Sequence, residues 1–332
     1  MMTSIRFFRS ARGRALWLLP ALAVLLGLLI PTASLQASPG LQTGDKPAPT
    51  PSAEDNPFLD TTNILVLGAD RDPGVPNWRT DVMMIVALDT NGDQVGVISL
   101  PRDLYLEEIP GHNPNRINVV DYLGEQDDPD GGGPALLGSI IEDKIGIPID
   151  HYVRFDFNSF RDVVNALGGV DVDVDCPFTG YLRDYGGWMR LSPGMHRLNG
   201  DQALIYVRDR KVSGGDLERA RRQQRFVWSV RNQILNENMV RRLPALYSAL
   251  SDSVDTDMGL LKALRIARFA LGIDPEDIHG FVVTPPDMLE QGWRQGMYVF
   301  LPDWELIREN AKGVFDEEPF DLTSTPDWCK TE

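Results

Sequence analysis

Three short apolar runs open the globular part of the chain, and each has the length of a buried strand. They cover residues 63–68, 82–88 and 95–100. Asn91 and Gly92, between the second and third runs, form a hairpin signal, so these two strands are expected to be antiparallel. The end of the third strand then lies beside the start of the second.

Charged residues follow or precede these apolar runs directly. If the first strand also runs antiparallel to the second, its end reaches the same edge of the sheet. One rim of the sheet would then hold Asp70, Arg79, Asp81, Arg102 and Asp103. This prediction depends on where the charges fall relative to the strand ends.

Later segments alternate between helical and extended patterns. Helices are predicted over residues 134–145, 159–167, 199–207, 216–238, 257–271 and 304–311, and strands over residues 149–157, 170–174 and 278–284. Asp216 is the expected N-cap of the long helix. Together with the early hairpin, this order predicts a layered α/β domain with a mixed sheet.

The N-terminal segment has a different composition. Four arginines precede an uncharged apolar run over residues 15–30. Basic residues on this flank keep it in the cytoplasm, which predicts a transmembrane anchor within residues 1–35 and export of the rest. A cleaved signal peptide is the alternative, because the run is shorter than a comfortable span and small residues follow it. In either case the remaining chain lies outside the membrane.

Residues 36–58 are rich in Pro, Ser, Thr and Ala, which predicts a linker before an extracytoplasmic domain over residues 59–332. The formal net charge of −16 argues against a nucleic-acid partner. The two cysteines of this exported part, Cys176 and Cys329, are expected to form a disulfide. The four histidines are scattered, so a histidine-based zinc site is not expected.

Seven basic residues crowd between positions 208 and 225, which is unusual in so acidic a chain. Arginine binds phosphate oxygens two at a time, so the cluster predicts a phosphate-bearing ligand. Helical spacing places Arg219 and Gln223 on one face and Arg221 and Arg225 on the opposite, solvated side. Val227 is among the residues expected to face the core.

Asp70 and Asp81 on one rim, with no histidine nearby, suit a hard cation such as Mg²⁺, which prefers oxygen ligands. Other interpretations stay open from the residues alone. Arg79 and Arg102 could form structural ion pairs with Asp81 and Asp103, and the side chains of Arg208 and Arg210 could simply be solvated.

Taken together, the motifs resemble those of the LytR-CpsA-Psr family over about residues 60–255. They are Asn63-Ile64-Leu65-Val66-Leu67-Gly68-Ala69-Asp70, Arg79-Thr80-Asp81, Ser99-Leu100-Pro101-Arg102-Asp103, Arg116-Ile117-Asn118, Leu167-Gly168-Gly169-Val170, Arg208-Asp209-Arg210 and Asp216-Leu217-Glu218-Arg219-Ala220-Arg221-Arg222-Gln223. Val82 departs from the family pattern, in which Ser or Thr follows the Arg-Thr-Asp triplet. Residues 292–304 have no functional interpretation.

The resemblance implies an α/β/α sandwich with an apolar pocket for a prenyl chain. It also implies an extracytoplasmic phosphotransferase that moves a glycan polymer from a polyprenyl-pyrophosphate carrier onto peptidoglycan, with Mg²⁺. By motif, Asp70 and Asp81 would hold the metal, and Arg102, Arg219 and Asp103 would be catalytic, Asp103 as a candidate base. The expected pyrophosphate-binding residues are Arg79, Arg102, Arg116, Asn118, Arg208, Arg210, Arg219 and Gln223.

Two other functions compete with this one. The first is a lipid-pyrophosphate hydrolase, with water as the acceptor. The second is a non-catalytic prenyl-phosphate binder or a regulator. Which polymer is carried, how long the prenyl chain is and how many subunits assemble do not follow from the sequence.

Overall fold

A computed structural model describes residues 56–71, 76–182, 186–209, 215–236 and 254–317. The predicted anchor and most of the predicted linker lie outside these residues, as do Arg210 and Cys329. Within the described residues, no helix combines the length and the apolar character needed to cross a membrane. The Cys176–Cys329 disulfide stays a prediction, and Cys176 itself is buried.

A six-stranded mixed sheet forms the centre of the fold. Its strands are β1 (Thr62–Ala69), β2 (Thr80–Asp89), β3 (Gln94–Ser99), β6 (His151–Phe155), β11 (Val254–Thr256) and β12 (Ile278–Val282), in the order β11-β6-β1-β2-β3-β12. The β1–β2, β2–β3 and β6–β11 pairs are antiparallel, whereas β1–β6 and β3–β12 are parallel. The predicted hairpin and the mixed sheet are therefore confirmed.

Seven α-helices, three short 3₁₀ helices (Pro57–Leu59, Ile117–Val119 and Pro275–Asp277) and four small two-stranded sheets complete the described chain. The helices are α1 (Val120–Asp127), α2 (Gly132–Ile145), α3 (Phe157–Ala166), α4 (Gly200–Arg208), α5 (Gly215–Asn236), α6 (Leu260–Gly272) and α7 (Trp304–Lys312). The remaining strands are β4 (Tyr105–Leu106), β5 (Asn115–Arg116), β7 (Val170–Val174), β8 (Phe178–Leu182), β9 (Gly187–Leu191), β10 (Gly194–Leu198), β13 (Leu289–Arg294) and β14 (Met297–Pro302). They pair as β4–β5, β7–β10, β8–β9 and β13–β14, all antiparallel.

Helices cover both faces of the central sheet. Successive strand residues point to opposite sides, and apolar side chains on each side are buried by the helices. On one face, Leu65 and Leu67 pack with Leu137 of α2 and Ile307 of α7. Phe58, assigned by composition to the linker, is buried in this same cluster. On the other face, apolar strand residues pack against α6 and, further along, near α3, α4 and α5.

Helix α5 begins one residue earlier than expected, so Asp216 lies in its first turn instead of at its N-cap. The predicted division of its faces is also wrong in part. Arg225 is buried, and its guanidinium lies 3.3 Å from a carboxylate oxygen of Asp175, which Arg221 also contacts at 3.0 Å. Val227 is exposed instead. The buried carboxylate of Asp175 lets this face carry cations where the helical pattern indicated solvent.

Arg222 is the most deeply buried arginine of α5, with 3% of its surface exposed. It donates to the backbone oxygens of Tyr206 and Asp209, at the end of α4. Its guanidinium also lies 5.1 Å from the ring centre of Phe178. Arg222 therefore joins α5 to the end of α4 and is no candidate for ligand contact.

We expect Arg222→Ala to lower the free energy of unfolding by about 3 kcal/mol, because it leaves two carbonyl groups without their donor and opens a void. Thermal denaturation should show a melting temperature lower by about 6–12 °C. The exposed Arg265 on α6 provides the control, since Arg265→Ala should change the melting temperature by about 1 °C or less. Equal melting temperatures for the two variants would contradict the structural role of Arg222.

Candidate functional site

A β-bulge in β2 sets the direction of the first site residues. Gly68 pairs with Val82 and Ala69 pairs with Thr80, so Asp81 is the extra residue between them. Because of the bulge, Thr80 turns towards α1 and bonds to Asp121, whereas Asp81 lies with Val82 on the opposite side of the sheet. Regular alternation would have placed Thr80, and not Asp81, on the side of Val82.

An apolar cavity of about 170 Å³ lies on this side of the sheet, between β6, β1 and β2 and the helices α3, α4 and α5. Phe155, Phe160, Val164, Leu204, Phe226 and Val230 are among its apolar lining residues. Val227 also lines it, which explains how an apolar helix residue can be exposed. Gly68 lies in the wall, where an added Cβ would come within 3.0 Å of the Val82 Cβ atom.

Polar groups meet the apolar cavity at one end. They are Asp81, Arg208, Arg219 and Gln223. Asp156, whose side chain caps the N-terminus of α3, also lines the cavity. The Arg208 guanidinium stacks over the Phe157 ring at 3.5 Å from its centre, and Gln223 donates from Nε2 to the Val207 oxygen at 3.1 Å. The sequence-predicted partners Arg219 and Gln223 therefore do lie together, with Asp81 from the sheet.

A second, smaller cavity of about 60 Å³ adjoins the first. It extends across the sheet from β2 towards β3 and β12, whereas the first extends from β2 towards β1 and β6. Asp81, Arg219 and Gln223 line both cavities. The second cavity continues past the ends of β3 and β12 to Pro285 and Phe300. The two cavities thus meet at the side chains of Asp81, Arg219 and Gln223.

A row of alternating charges runs along the rim from Asp81. Arg102 donates from Nη1 to the Asp81 carboxylate at 2.7 Å, and its Nε atom lies 3.5 Å from Asp103. Asp103 in turn lies 3.2 Å from Nη1 of Arg116. The order Asp81–Arg102–Asp103–Arg116 holds each guanidinium in place between or beside carboxylates.

The remaining predicted residues lie at different depths. Asp70 accepts a bond from the Arg79 backbone N–H at 2.6 Å, which closes the end of the β1–β2 pair, and the Arg79 side chain is exposed. Asn118 is 1% exposed and lines neither cavity, so the structure does not bring it to the polar group. Its amide has no hydrogen-bond partner among the described residues. Arg210 lies outside those residues.

Across the sheet, Thr80 belongs to a buried polar network that the sequence did not reveal. Asp121 accepts from Thr80 Oγ1 at 2.9 Å and from Arg154 Nη1 at 2.7 Å, and Arg154 also bonds to Asp255 at 2.5 Å. Burial raises the pKa of Asp121, although Arg154 opposes it. Burial disfavours the charged form of Arg154, but Asp121 and Asp255 outweigh this and raise its pKa.

This network could not be recognised from the chain because its members are far apart in sequence. The one indication in the sequence is a charged residue within an otherwise apolar element, such as Arg154 inside β6. Among the described residues, no group of three or more histidine, cysteine or acidic side chains could hold a metal ion. Any metal at Asp70 and Asp81 would therefore need ligands from elsewhere.

Comparison with known proteins gives one family. A model of the LytR_cpsA_psr family matches residues 40–314. The regulatory protein MsrR of Staphylococcus aureus (strain COL) is 33% identical over 198 residues, which are 59% of this chain and 56% of that protein. The polyisoprenyl-teichoic acid–peptidoglycan teichoic acid transferase TagU of Halalkalibacterium halodurans is 30% identical over 221 residues, covering 66% of this chain and 68% of that protein.

Solved structures share the fold. The crystal structure of Bacillus subtilis TagV has a TM-score of 0.62 and 25% identity, and the match covers 78% of this chain and 99% of TagV. TagT bound to LI-WTA has a TM-score of 0.60 and 24% identity, with 80% of this chain and 93% of TagT covered.

Arg154→Met should lower the free energy of unfolding by about 3–5 kcal/mol at pH 7, because it leaves the Asp121 carboxylate buried without its cation. Without Arg154 the pKa of Asp121 rises further above that of the unfolded chain, so the folded state binds a proton more tightly than the unfolded state does. The loss in the free energy of unfolding should therefore be smaller at low pH. It should grow as the pH rises towards the raised pKa of Asp121. Denaturant unfolding at several pH values measures this.

The double variant Arg154→Met/Asp121→Asn is the control, since its amide carries no proton equilibrium in this range. Its stability should therefore fall less with rising pH than that of Arg154→Met. A pH dependence equal in the single and double variants would show that Asp121 is not the responsible group.

Proposed function

Because the chain belongs to the LytR-CpsA-Psr family, we propose that it transfers a glycan polymer from a polyprenyl-pyrophosphate carrier onto peptidoglycan, forming a phosphodiester bond. One observation carries the proposal: an apolar cavity ends at a polar group that contains two arginines, Arg208 and Arg219. A prenyl pyrophosphate has the same two parts, an apolar chain and an anionic head. The name of the TagU relative describes a transfer of the same kind.

This match of chemistry supports a specific position for the donor. The prenyl chain occupies the apolar cavity beneath α3, α4 and α5, which removes its surface from water. The pyrophosphate then lies at Asp81, Arg208, Arg219 and Gln223. Arg219 is buried, and a guanidinium in a site of low dielectric attracts phosphate oxygens more strongly than an exposed one does.

The reaction is a displacement at the phosphorus that carries the glycan. A hydroxyl oxygen of peptidoglycan forms the new P–O bond, and the bond to the bridging oxygen breaks, so that prenyl monophosphate leaves with the electron pair. The hydroxyl proton passes to a base or to water. Positioning and charge stabilisation supply most of the catalysis in phosphoryl transfer, and arginine side chains can supply both.

Arg102 is connected to the proposed pyrophosphate site through its contact with Asp81. Its Nη1 atom bonds to Asp81 and its Nε atom lies beside Asp103, so two carboxylates fix its orientation. Asp103 itself lies between Arg102 and Arg116. These contacts favour a positioning role for Asp103, which orients the two guanidinium groups. They do not favour its predicted role as the base.

We also propose that Asp70 and Asp81 bind Mg²⁺ together with the pyrophosphate. The two carboxylates lie at the neighbouring ends of β1 and β2, beside the bulge. Both are oxygen ligands, and Mg²⁺ commonly binds one or two carboxylates and completes its shell with substrate phosphates and water. When bound there, the ion would neutralise charge on the phosphate oxygens.

The anchor and the extracytoplasmic location belong to the same proposal. An Arg-rich flank and apolar run before residue 31 would hold the domain at the membrane that contains its lipid donor. The cavity would then receive a substrate already concentrated in that membrane.

The transfer can be tested with the full-length protein in detergent, a polyprenyl-pyrophosphate-linked glycan, Mg²⁺ and peptidoglycan fragments. We expect a phosphodiester-linked product, and Arg219→Ala should reduce kcat/KM about 100- to 1000-fold because charge stabilisation is lost. Arg190→Ala, at an exposed position on β9, should retain wild-type activity. Prenyl monophosphate released without a linked product would indicate a hydrolase, and lipid bound unchanged would indicate a binding protein.

Metal dependence is tested by removing divalent ions with EDTA. Transfer should stop and return when Mg²⁺ is added, and Asp81→Asn should raise the Mg²⁺ concentration needed for half-maximal rate at least tenfold, since one anionic ligand is lost. Binding of Mn²⁺ in the presence of inorganic pyrophosphate, followed by electron paramagnetic resonance, gives a readout without turnover. Undiminished transfer in EDTA would refute the metal site.

A further inference from the structure

The β13–β14 hairpin carries a row of aromatic side chains on one face. Trp293 and Tyr298 are cross-strand partners with ring centres 5.8 Å apart, and Phe300 follows Tyr298 at 5.9 Å. Trp293 is 68% exposed and Tyr298 is 39% exposed. Large aromatic surfaces left in water in this arrangement commonly mark a binding site.

The hairpin is attached directly to the charged rim. Arg116 donates from Nη2 to the Tyr298 backbone oxygen at 2.6 Å, while its Nη1 atom contacts Asp103. The Phe300 N–H donates to the Asp103 backbone oxygen at 2.9 Å. The aromatic row therefore has a fixed position relative to Arg102 and Asp81, the other members of the charge row.

The inner end of the row reaches the polar group itself. Phe300 lines the smaller cavity together with Asp81, Arg219 and Gln223. Trp293 lies at the outer end, so the row leads from solvent to the site proposed for the pyrophosphate.

The direction of approach identifies which substrate this row serves. The apolar cavity covers β6, β1 and β2, whereas the smaller cavity extends past β3 and β12, so they leave Asp81 in opposite directions. In an in-line displacement the incoming oxygen approaches opposite the leaving group. If prenyl phosphate leaves on the side of the apolar cavity, the acceptor approaches from the side of the hairpin.

The chemistry of the row suits a sugar chain. A pyranose ring presents C–H groups on its faces, which pack on aromatic rings, and hydroxyl groups at its edge, which need polar partners. Gln291, the cross-strand partner of Phe300, is exposed beside the aromatic side chains, and Gln295 is exposed in the adjoining turn. Both can meet those hydroxyl groups. An apolar protein or lipid surface would leave these polar groups without partners.

We propose that Trp293, Tyr298 and Phe300 form a binding site for the glycan strand of the acceptor, and that it guides the acceptor hydroxyl towards the phosphate. The inference rests on the proposed transfer for its direction, but glycan binding itself can be measured without turnover. The aromatic row acts on affinity for the acceptor and not on the chemical step.

The test uses the full-length protein and soluble, uncrosslinked peptidoglycan oligosaccharides. Titration calorimetry should show binding to the wild type and at least tenfold weaker binding to Trp293→Ala and Tyr298→Ala. Trp293→Phe should restore much of the affinity, since it keeps an aromatic face. The matched control is Trp188→Ala on the β8–β9 hairpin, where Trp188 is 59% exposed and packs against Tyr181 at 5.2 Å.

Initial rates then separate this inference from the proposed function. Trp293→Ala should raise the acceptor KM about tenfold and leave the donor KM unchanged. No oligosaccharide binding by the wild type, or equal affinity in Trp293→Ala and Trp188→Ala, overturns the inference even if transfer occurs. A raised donor KM with an unchanged acceptor KM assigns the row to the donor glycan and also overturns it. Binding that is lost in Trp293→Ala supports it even if the wild type transfers nothing.

Discussion

The single extra residue in β2 is the constraint on which the rest of the site depends. In a regular strand, Thr80 and Asp81 would point to the opposite faces from those they occupy, since side chains alternate. The bulge directs the Thr80 hydroxyl into the buried network with Asp121 and Arg154, and it directs the Asp81 carboxylate to the meeting point of two cavities. Because the network holds one side of the bulge and Arg102 holds the other, the position of the carboxylate is determined from both faces of the sheet.

The cations of the chain have two separate tasks. Arg222 and Arg225 are buried against carbonyl groups and a carboxylate, where they join α5 to α4 and β7. Arg208 and Arg219 line the apolar cavity at its polar end. The structural cations thus hold α5, which carries Arg219, against α4, which ends at Arg208. A dense group of arginines in an acidic protein is partly scaffold, and composition alone does not reveal which part.

Much of the fold followed from local signals. The Asn91-Gly92 turn fixed the β2–β3 hairpin, and the charges at the strand ends correctly brought Asp81, Arg102 and Asp103 to one rim. The errors arose where burial depends on residues distant in sequence. Arg225 looked solvated because its partner Asp175 lies on another element. Asn118 was expected by motif to bind pyrophosphate, which stays a prediction, and the structure buries it in a short helical turn. The β13–β14 hairpin was not predicted, since glycine and glutamine interrupt its apolar alternation.

Two cavities that leave one carboxylate in opposite directions have a kinetic consequence. If the lipid occupies one and the acceptor approaches through the other, neither substrate blocks the entry of its partner. Both can then be present before any bond changes, and the glycan can pass directly between them without being stored on a side chain. An enzyme with this arrangement works through a ternary complex, and its rate depends on both substrates at once. Prenyl monophosphate can then leave independently of the peptidoglycan that has received the glycan.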